Sequence, residues 1–448
     1  MKYFTLLFIS SILTFAQGLN LEQALELVKR QNLEIKAAEY EVQSASLSLD
    51  MANAQDYGQL DFVQNISRSN DAGNVFGFKL TSREATFGDF GFSDFSLSNP
   101  NILNVQPHDL NYPDSRNFFQ SKLVYKLPVY SGNKITAYQN MAKEMRKISI
   151  LDKEEQLNTK IYETRKSYFD MALLEGSLKN LHIILTNIQR LETVTNEMII
   201  EGYAKKIDLL EIQSKKANVE RIIAELASNK ELLYHYLSFL LNQDVEEIST
   251  PQYDLLTPQI STQDILQNSI DIKKAMTALK IRENILVAEK SRYLPMIGAL
   301  AEMQTADDSF LGDANDHKSY TIGMQLTWNI FNGGSDSAAI EKAQVQRLKM
   351  QTQTELSRQG IALQVKEIQT KIKTAEDKIK NLKIELQLAR EIYDNYEGRY
   401  KEQLSSMNDV IIKQSSWLEK VLQLLQAENE RNKQIFVLER LALIQGNK

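Results

Sequence analysis

The sequence predicts a mainly α-helical protein that also carries membrane β-strands, arranged as an internal duplication. Three observations predict it. Starting at Asn133 the chain reads as helix for almost seventy residues, and it does so again about two hundred residues later. Each run is preceded by an alternating strand and a glycine turn. All seven prolines (100, 107, 113, 128, 251, 258 and 295) fall outside the helical runs, as expected of a residue that breaks helix interiors. At about 1.5 Å per residue a seventy-residue helix is roughly 100 Å long. No compact core buries such a rod, so it must pack against similar rods.

In chain order, residues 1–18 read as a signal peptide. Lys2 supplies a positive start, Leu6 to Phe15 a short apolar run, and cleavage is expected after Ala16 or Gly18. The first repeat spans 19–245: a helix from Leu21 to Gln55, strands between Leu60 and Tyr130, a long helix from Asn133 to Glu201, and a helix from Ile207 to Leu241. A linker at 246–261, marked by Pro251 and Pro258, separates it from the second repeat at 262–448. That repeat has a helix from Thr262 to Tyr293, strands from Met296 to Ile330, a long helix to Glu402 and a last helix from Asn408 to Leu443.

The duplication can be checked by register. A shift of 237 places Leu33-Glu34-Ile35-Lys36 on Ile270-Asp271-Ile272-Lys273, and Gly58 on Pro295. After the strands the shift becomes 201, which carries Tyr130-Ser131-Gly132 onto Phe331-Asn332-Gly333 and Asp208 through Ser214 onto Asp409 through Ser415. The difference is an insertion between the first two strands.

Composition narrows the function. There are no cysteines, so an exported chain of 448 residues has neither disulfides nor a cysteine-linked lipid. The formal net charge of −6 leaves no basic footprint for nucleic acid. Beyond the leader no run of eighteen apolar residues exists, so any membrane crossing must use β-strands closed into a barrel.

The strands have the required pattern. Ile322, Met324, Leu326, Trp328 and Ile330 alternate with Gly323, Gln325, Thr327 and Asn329. By the 201 shift, Leu123, Tyr125, Leu127 and Val129 fall on the same face. Ile297, Ala299, Ala301 and Met303 alternate too, matched by Leu60, Phe62 and Ile66. A small soluble sheet with one buried face would alternate identically; the leader and the lack of an apolar helix favour the membrane. Four strands cannot close a barrel, for which about eight is the minimum, so the barrel must be shared between protomers. The insertion, 67–117, is rich in phenylalanine: nine of the seventeen lie between Phe62 and Phe119. It reads either as a loop constricting the barrel mouth or, preferably, as a self-packed loop clamped to its neighbours.

In the helices, Leu226, Leu233, Leu237 and Leu240 form a coiled-coil seam. Two shorter helices, Leu21–Gln55 and Ile207–Leu241, could stack end to end to match one long helix, which predicts a hollow cylinder of paired coiled coils.

These pieces, in this order, resemble the TolC-like outer membrane efflux proteins. The resemblance rests on the helix exit Ala288 to Pro295, the strand-to-helix turns at Leu127–Gly132 and Ile330–Gly334 (with Gly132, Gly333 and Gly334), Tyr168-Phe169, the tip Gly202-Tyr203-Ala204-Lys205-Lys206-Ile207-Asp208, and Phe-Gly-Phe-Lys-Leu at 76–80. It implies a homotrimer whose four strands per protomer form a twelve-stranded barrel in outer membrane lipid, above a periplasmic α-helical tunnel. It also implies a periplasmic adaptor (membrane fusion) protein and an inner-membrane pump as partners, in efflux or type I secretion. No cofactor is implied. Asp409 matches an aperture aspartate, Asp208 its first-half counterpart, and Tyr400 a tyrosine that bonds to it; Gly202, Tyr203, Gln403 and Leu404 are the adaptor-contact tips. A ring of such carboxylates would favour cations. Gln403-Leu404, Ser405, Ile412 and Gly58 depart from the family's glycine pair, latching arginine, second aspartate and first-half proline. Asp208 and Asp409 also read as helix-start residues, since Asp favours caps.

Other functions fit less well. His108, His182, His235 and His317 show no metal-ligand spacing, and no phosphate loop or nucleophile elbow is present. An exported periplasmic coiled-coil scaffold, or an adaptor without a barrel, is the alternative, but it would not need paired alternating strands before each glycine turn.

Overall fold

The computed structural model describes residues 18–250, 255–402 and 404–443. The leader up to residue 17, Pro251 and Gln403 lie outside the described residues. The helices are α1 (Leu21–Gln31), α2 (Leu33–Ala54), α3 (Ala72–Thr81), α4 (His108–Asn111), α5 (Lys134–Ile200), α6 (Lys206–Leu241), α7 (Thr262–Asn268), α8 (Ile270–Lys290), α9 (Ser335–Lys401) and α10 (Met407–Leu441). The strands are β1 (Gln59–Ser69), β2 (Arg116–Tyr130), β3 (Met296–Asp307) and β4 (Lys318–Thr327). Contacts divide the chain into two units, one of Ser44–Arg146 with Thr277–Gln351, the other of the remaining segments.

Both long helices are 67 residues and start 201 positions apart. The first helix of each repeat, expected as one piece, is two. Asn32 breaks the first (φ −61°, ψ 124°) and Ser269 the second (φ −51°, ψ 127°), related by the 237 shift. Their bonds repeat as well: Asn32 N–H donates to Val28 O and Ser269 N–H to Ile265 O, while Asn32 O accepts from Lys36 N and Ser269 O from Lys273 N. The extended ψ removes the helical acceptors, and the buried Asn32 side chain replaces them. Its Oδ1 accepts from Glu34 N (3.0 Å) and Ile35 N (3.1 Å), and its Nδ2 donates to Leu240 O (2.8 Å). The last turns, Gln55–Tyr57 and Ser291–Tyr293, differ by 236, but β1 and β3 start 237 apart, which keeps Gly58 opposite Pro295.

In the unit of Ser44–Arg146 with Thr277–Gln351, the four strands form one antiparallel sheet in the order β1-β2-β3-β4. The register lines up the alternation across all four: Leu60, Tyr125, Ala301 and Ile322 in one row, Phe62, Leu123, Met303 and Tyr320 in the next. On this face Leu60, Phe62, Tyr320 and Ile322 are exposed. The opposite face is polar, with Asn65 Nδ2 bonded to Gln120, Gln120 Nε2 to Gln304, and Lys122 paired with Glu302 at 3.2 Å. Two expectations change. β4 ends at Thr327, so Trp328 and Ile330 follow the strand, and Trp328 Nε1 bonds to Tyr293 O. Val129 drops out of the β2–β3 register at an irregularity between Pro128 and Tyr130, a consequence of the N–H that proline lacks.

The strands extend into the insertion, which leaves 70–115 outside the sheet rather than 67–117, and part of it is helical. Asp71 caps α3 through Asn74 N. Phe76 meets Phe90 edge-on (4.9 Å), and Phe78 stacks on Phe118 (4.2 Å). Lys79 pairs with Asp89 and Arg116 with Glu84. The insertion therefore packs on itself and on β2.

In the other unit, Leu25, Val28, Tyr168, Met171, Leu237 and Phe436 form one core cluster, and Ile265, Ile272, Ile361, Val365, Ile368, Ile372, Ile435 and Leu438 another. The α9 residues recur at spacings of four and three, a coiled-coil seam. The seam expected on α6 is present, with Leu237 and Leu240 fully buried and Leu226 and Leu233 partly so. Tyr168 is also fully buried, its hydroxyl donating to Leu19 O (2.9 Å). Beside it in sequence, Arg165 pairs with Glu439 and lies 4.5 Å from the Phe436 ring. Among the described residues no helix is long and apolar enough to cross a membrane.

Asn32→Ala should lower stability by about 2 kcal/mol, because it removes a cap and strands the Leu240 carbonyl. The urea midpoint of detergent-solubilised protein checks this. Burial pushes the Glu439 carboxyl above its ordinary value of 4.5, against the pull of Arg165. The folded state then holds this proton more tightly than the unfolded chain, so this group's contribution declines as pH rises from 4.5 through the folded value. Arg165→Met leaves the carboxylate buried alone; it should cost about 3 kcal/mol at neutral pH and less in acid, read from unfolding midpoints across pH.

Candidate functional site at the helix tips

The α5–α6 and α9–α10 connections close by the same bonds. At the first, α5 unwinds through Gly202 (φ 79°), and Tyr203 N donates to Met198 O at 2.7 Å. At the second, Leu404 N donates to Arg399 O at 2.8 Å, the same bond displaced by 201. Gly202 needs the left-handed conformation, which a side chain resists. An aspartate at the third position of the next helix then ties down its first turn. Asp208 Oδ2 accepts from Lys205 N (2.9 Å), and Asp409 Oδ2 accepts from Ser406 N (3.2 Å) and Ser406 Oγ (2.6 Å). Both carboxylates thus hold N-terminal turns of helices, where the helix dipole also favours them.

The two tips enclose a cavity of about 250 Å³. Met198, Tyr203 and Asp208 line it from the first tip, Tyr400, Ser405 and Ile411 from the second. So the structure brings Asp208 and Tyr400 to one cavity and leaves Asp409 on its cap beside it. The Tyr400 hydroxyl lies 3.8 Å from Met198 Sδ, and Asp409 takes its bonds from Ser406. At the outer ends, Tyr203 is 80% and Leu404 68% exposed.

Sequence reading missed the aromatic–cationic cluster behind the second tip. Lys413 Nζ lies 5.3 Å and the Arg399 guanidinium 5.7 Å from the Tyr396 ring, and Tyr393 stacks on Trp417 at 5.6 Å. Their helical spacing was the only available signal. The Ser406 bonds, then the Lys413 and Arg399 charges, hold the Asp409 carboxyl below its ordinary value of 3.8. At the strand-to-helix turns Gly132 (φ 62°), Gly333 (φ 56°) and Gly334 (φ 84°) are all left-handed. A Cβ on Gly132 would meet Leu294 Cβ at 2.9 Å, so that turn requires glycine twice over.

Together these features define a protein of paired long helices and one four-stranded antiparallel sheet. Residues 262–442, the second repeat, match the family described as outer membrane efflux protein. The fold extends further. Campylobacter jejuni CmeC, an outer membrane channel, superposes with a TM-score of 0.77 at 16% identity, over 94% of this chain and 85% of that one. Vibrio cholerae VceC, an outer membrane protein, gives 0.77 at 14% identity, over 94% and 96%. CusC, described for folding and transmembrane channel formation, gives 0.78 at 15%, over 94% and 91%. No curated protein sequence matches the chain.

Because Asp409 sits below 3.8, its cap is complete above that pH and fades as pH falls through the lower folded value. Asp409→Ala should therefore lower amide-exchange protection in the first turn of α10 by severalfold at neutral pH. The difference from wild type should narrow on strong acidification.

Proposed function

We propose that this chain is the outer membrane exit duct of a tripartite efflux or type I secretion assembly. It passes substrates delivered by an inner-membrane pump and a periplasmic adaptor. The observation that carries the reading is the four-stranded sheet, apolar and exposed on one face, polar on the other. β1 and β4 have no strand partner on their outer edges among the described residues. Closing those edges takes further copies of the chain, and three copies supply twelve strands, enough for a lumen. The polar face would line that lumen and the apolar face would meet lipid.

Gating is assigned to the tips. Asp208 and Asp409, repeated by three-fold symmetry, would place a ring of carboxylates at the narrowest point, with Tyr400 as the latch. Exposed Tyr203 and Leu404, with Gly202 and Gln403, would receive the adaptor. The role is conduction rather than catalysis, in keeping with a family described as outer membrane efflux protein and a structural neighbour described as a channel. A soluble periplasmic scaffold is disfavoured by the exposed rows Leu60–Ile322 and Phe62–Tyr320, an aggregation liability in water.

Single-channel conductance in planar bilayers tests this, with wild type beside Asp208→Ala and Asp409→Ala. Wild type should show small, cation-selective openings, and each variant should widen them or reduce selectivity severalfold. Conductance unchanged in both variants would remove the aspartates from the gate, and protein that stays soluble without detergent and never inserts would refute the duct.

A further inference from the structure

The end of the sheet that faces the insertion holds a convergence of metal-ligating groups from distant parts of the chain. Glu84, just after α3, Asp307, the last residue of β3, and His317, just before β4, each offer one ligand atom, and the three atoms lie within 4.8 Å of one another. We propose that they form a site for a divalent transition cation of the zinc class, which fastens the insertion to the β3–β4 hairpin.

Each group is held in a way that suits ligation. His317 Nδ1 lies 3.2 Å from the Ala306 carbonyl oxygen. With Nδ1–H as donor, Nε2 keeps its lone pair, which is the arrangement that orients most metal-bound imidazoles. Asp307 is buried, and its two oxygens accept from Asp308 N and Asp313 N at 2.6 Å each. Those bonds fix the carboxylate and leave further lone pairs on both oxygens.

Glu84 is paired with Arg116, whose guanidinium also reaches Ser82 Oγ (3.3 Å) and Asp308 (3.9 Å). Three carboxylates against one guanidinium leave two negative charges beside the His317 imidazole, which a divalent ion balances. One imidazole and two carboxylates, with no thiolate, select a borderline ion over a soft one. A separation within 4.8 Å lets one ion reach all three groups with small side-chain adjustments to bonds of about 2.0–2.2 Å.

The inference concerns only the sheet and its insertion and stands apart from the conduction reading. Its test is isothermal titration of the full chain, purified in detergent without a histidine tag, with zinc chloride, beside trypsin cleavage after the exposed Arg83. Wild type should bind one zinc per chain, and zinc should slow cleavage at Arg83. Glu84→Gln and His317→Ala should each weaken binding about tenfold or more and abolish the protection, whereas His108→Ala should do neither. Glu84→Gln carries the test should His317→Ala fail to fold. No stoichiometric zinc binding by wild type overturns the site, and so does binding or protection that survives in the folded variants.

Discussion

Every edge strand carries a row of backbone N–H and C=O groups that needs partners, and in this protein the outer edges of both β1 and β4 have none among the described residues. In the hydrocarbon setting proposed above no alternative partner would exist, so on that reading the edges are closed by further copies of the chain. The apolar rows running through all four strands impose the same demand. The repeated architecture follows from that need: each half supplies one hairpin, and β2 pairs with β3 to join the halves into one wall.

The helical parts repeat with comparable fidelity in their bonds rather than in their side chains. Asn32 and Ser269 break helices by the same ψ change, yet only Asn32 has a side chain long enough to reach Leu240. Tyr203 and Leu404 donate the same tip bond, and Asp208 and Asp409 occupy the same position of the following helix. A backbone constraint tolerates any residue that can adopt the conformation. That is why the halves share geometry while their sequences have drifted. The tip aspartates obey the same rule, since each stabilises a helix start.

The phenylalanine-rich insertion has a structure of its own. Phe78 on Phe118, Phe76 on Phe90, and the pairs Lys79–Asp89 and Arg116–Glu84 hold it against β2. Arg116 carries much of this attachment, since it meets the insertion at Ser82 and Glu84 and the β3–β4 hairpin at Asp308.

Sequence periodicity by itself determined the two long helices, the four strands and their apolar face, because periods of 3.5 and 2 are local properties written in neighbouring residues. Proline positions marked the boundaries for the same reason. The breaks at Asn32 and Ser269 were hidden within runs of good helix formers, since their cause at Asn32 lies partly in a carbonyl 208 residues away. The end of β4 at Thr327 and the loss of Val129 from register likewise depend on partners across the sheet. Asp208 and Tyr400 could be picked out singly, but their meeting in one cavity was decided by tertiary structure alone. The same is true of Glu84, Asp307 and His317, whose spacing in the chain carries no ligand pattern. Convergence of side chains from separate elements depends on how the backbone is placed, and that information is not local.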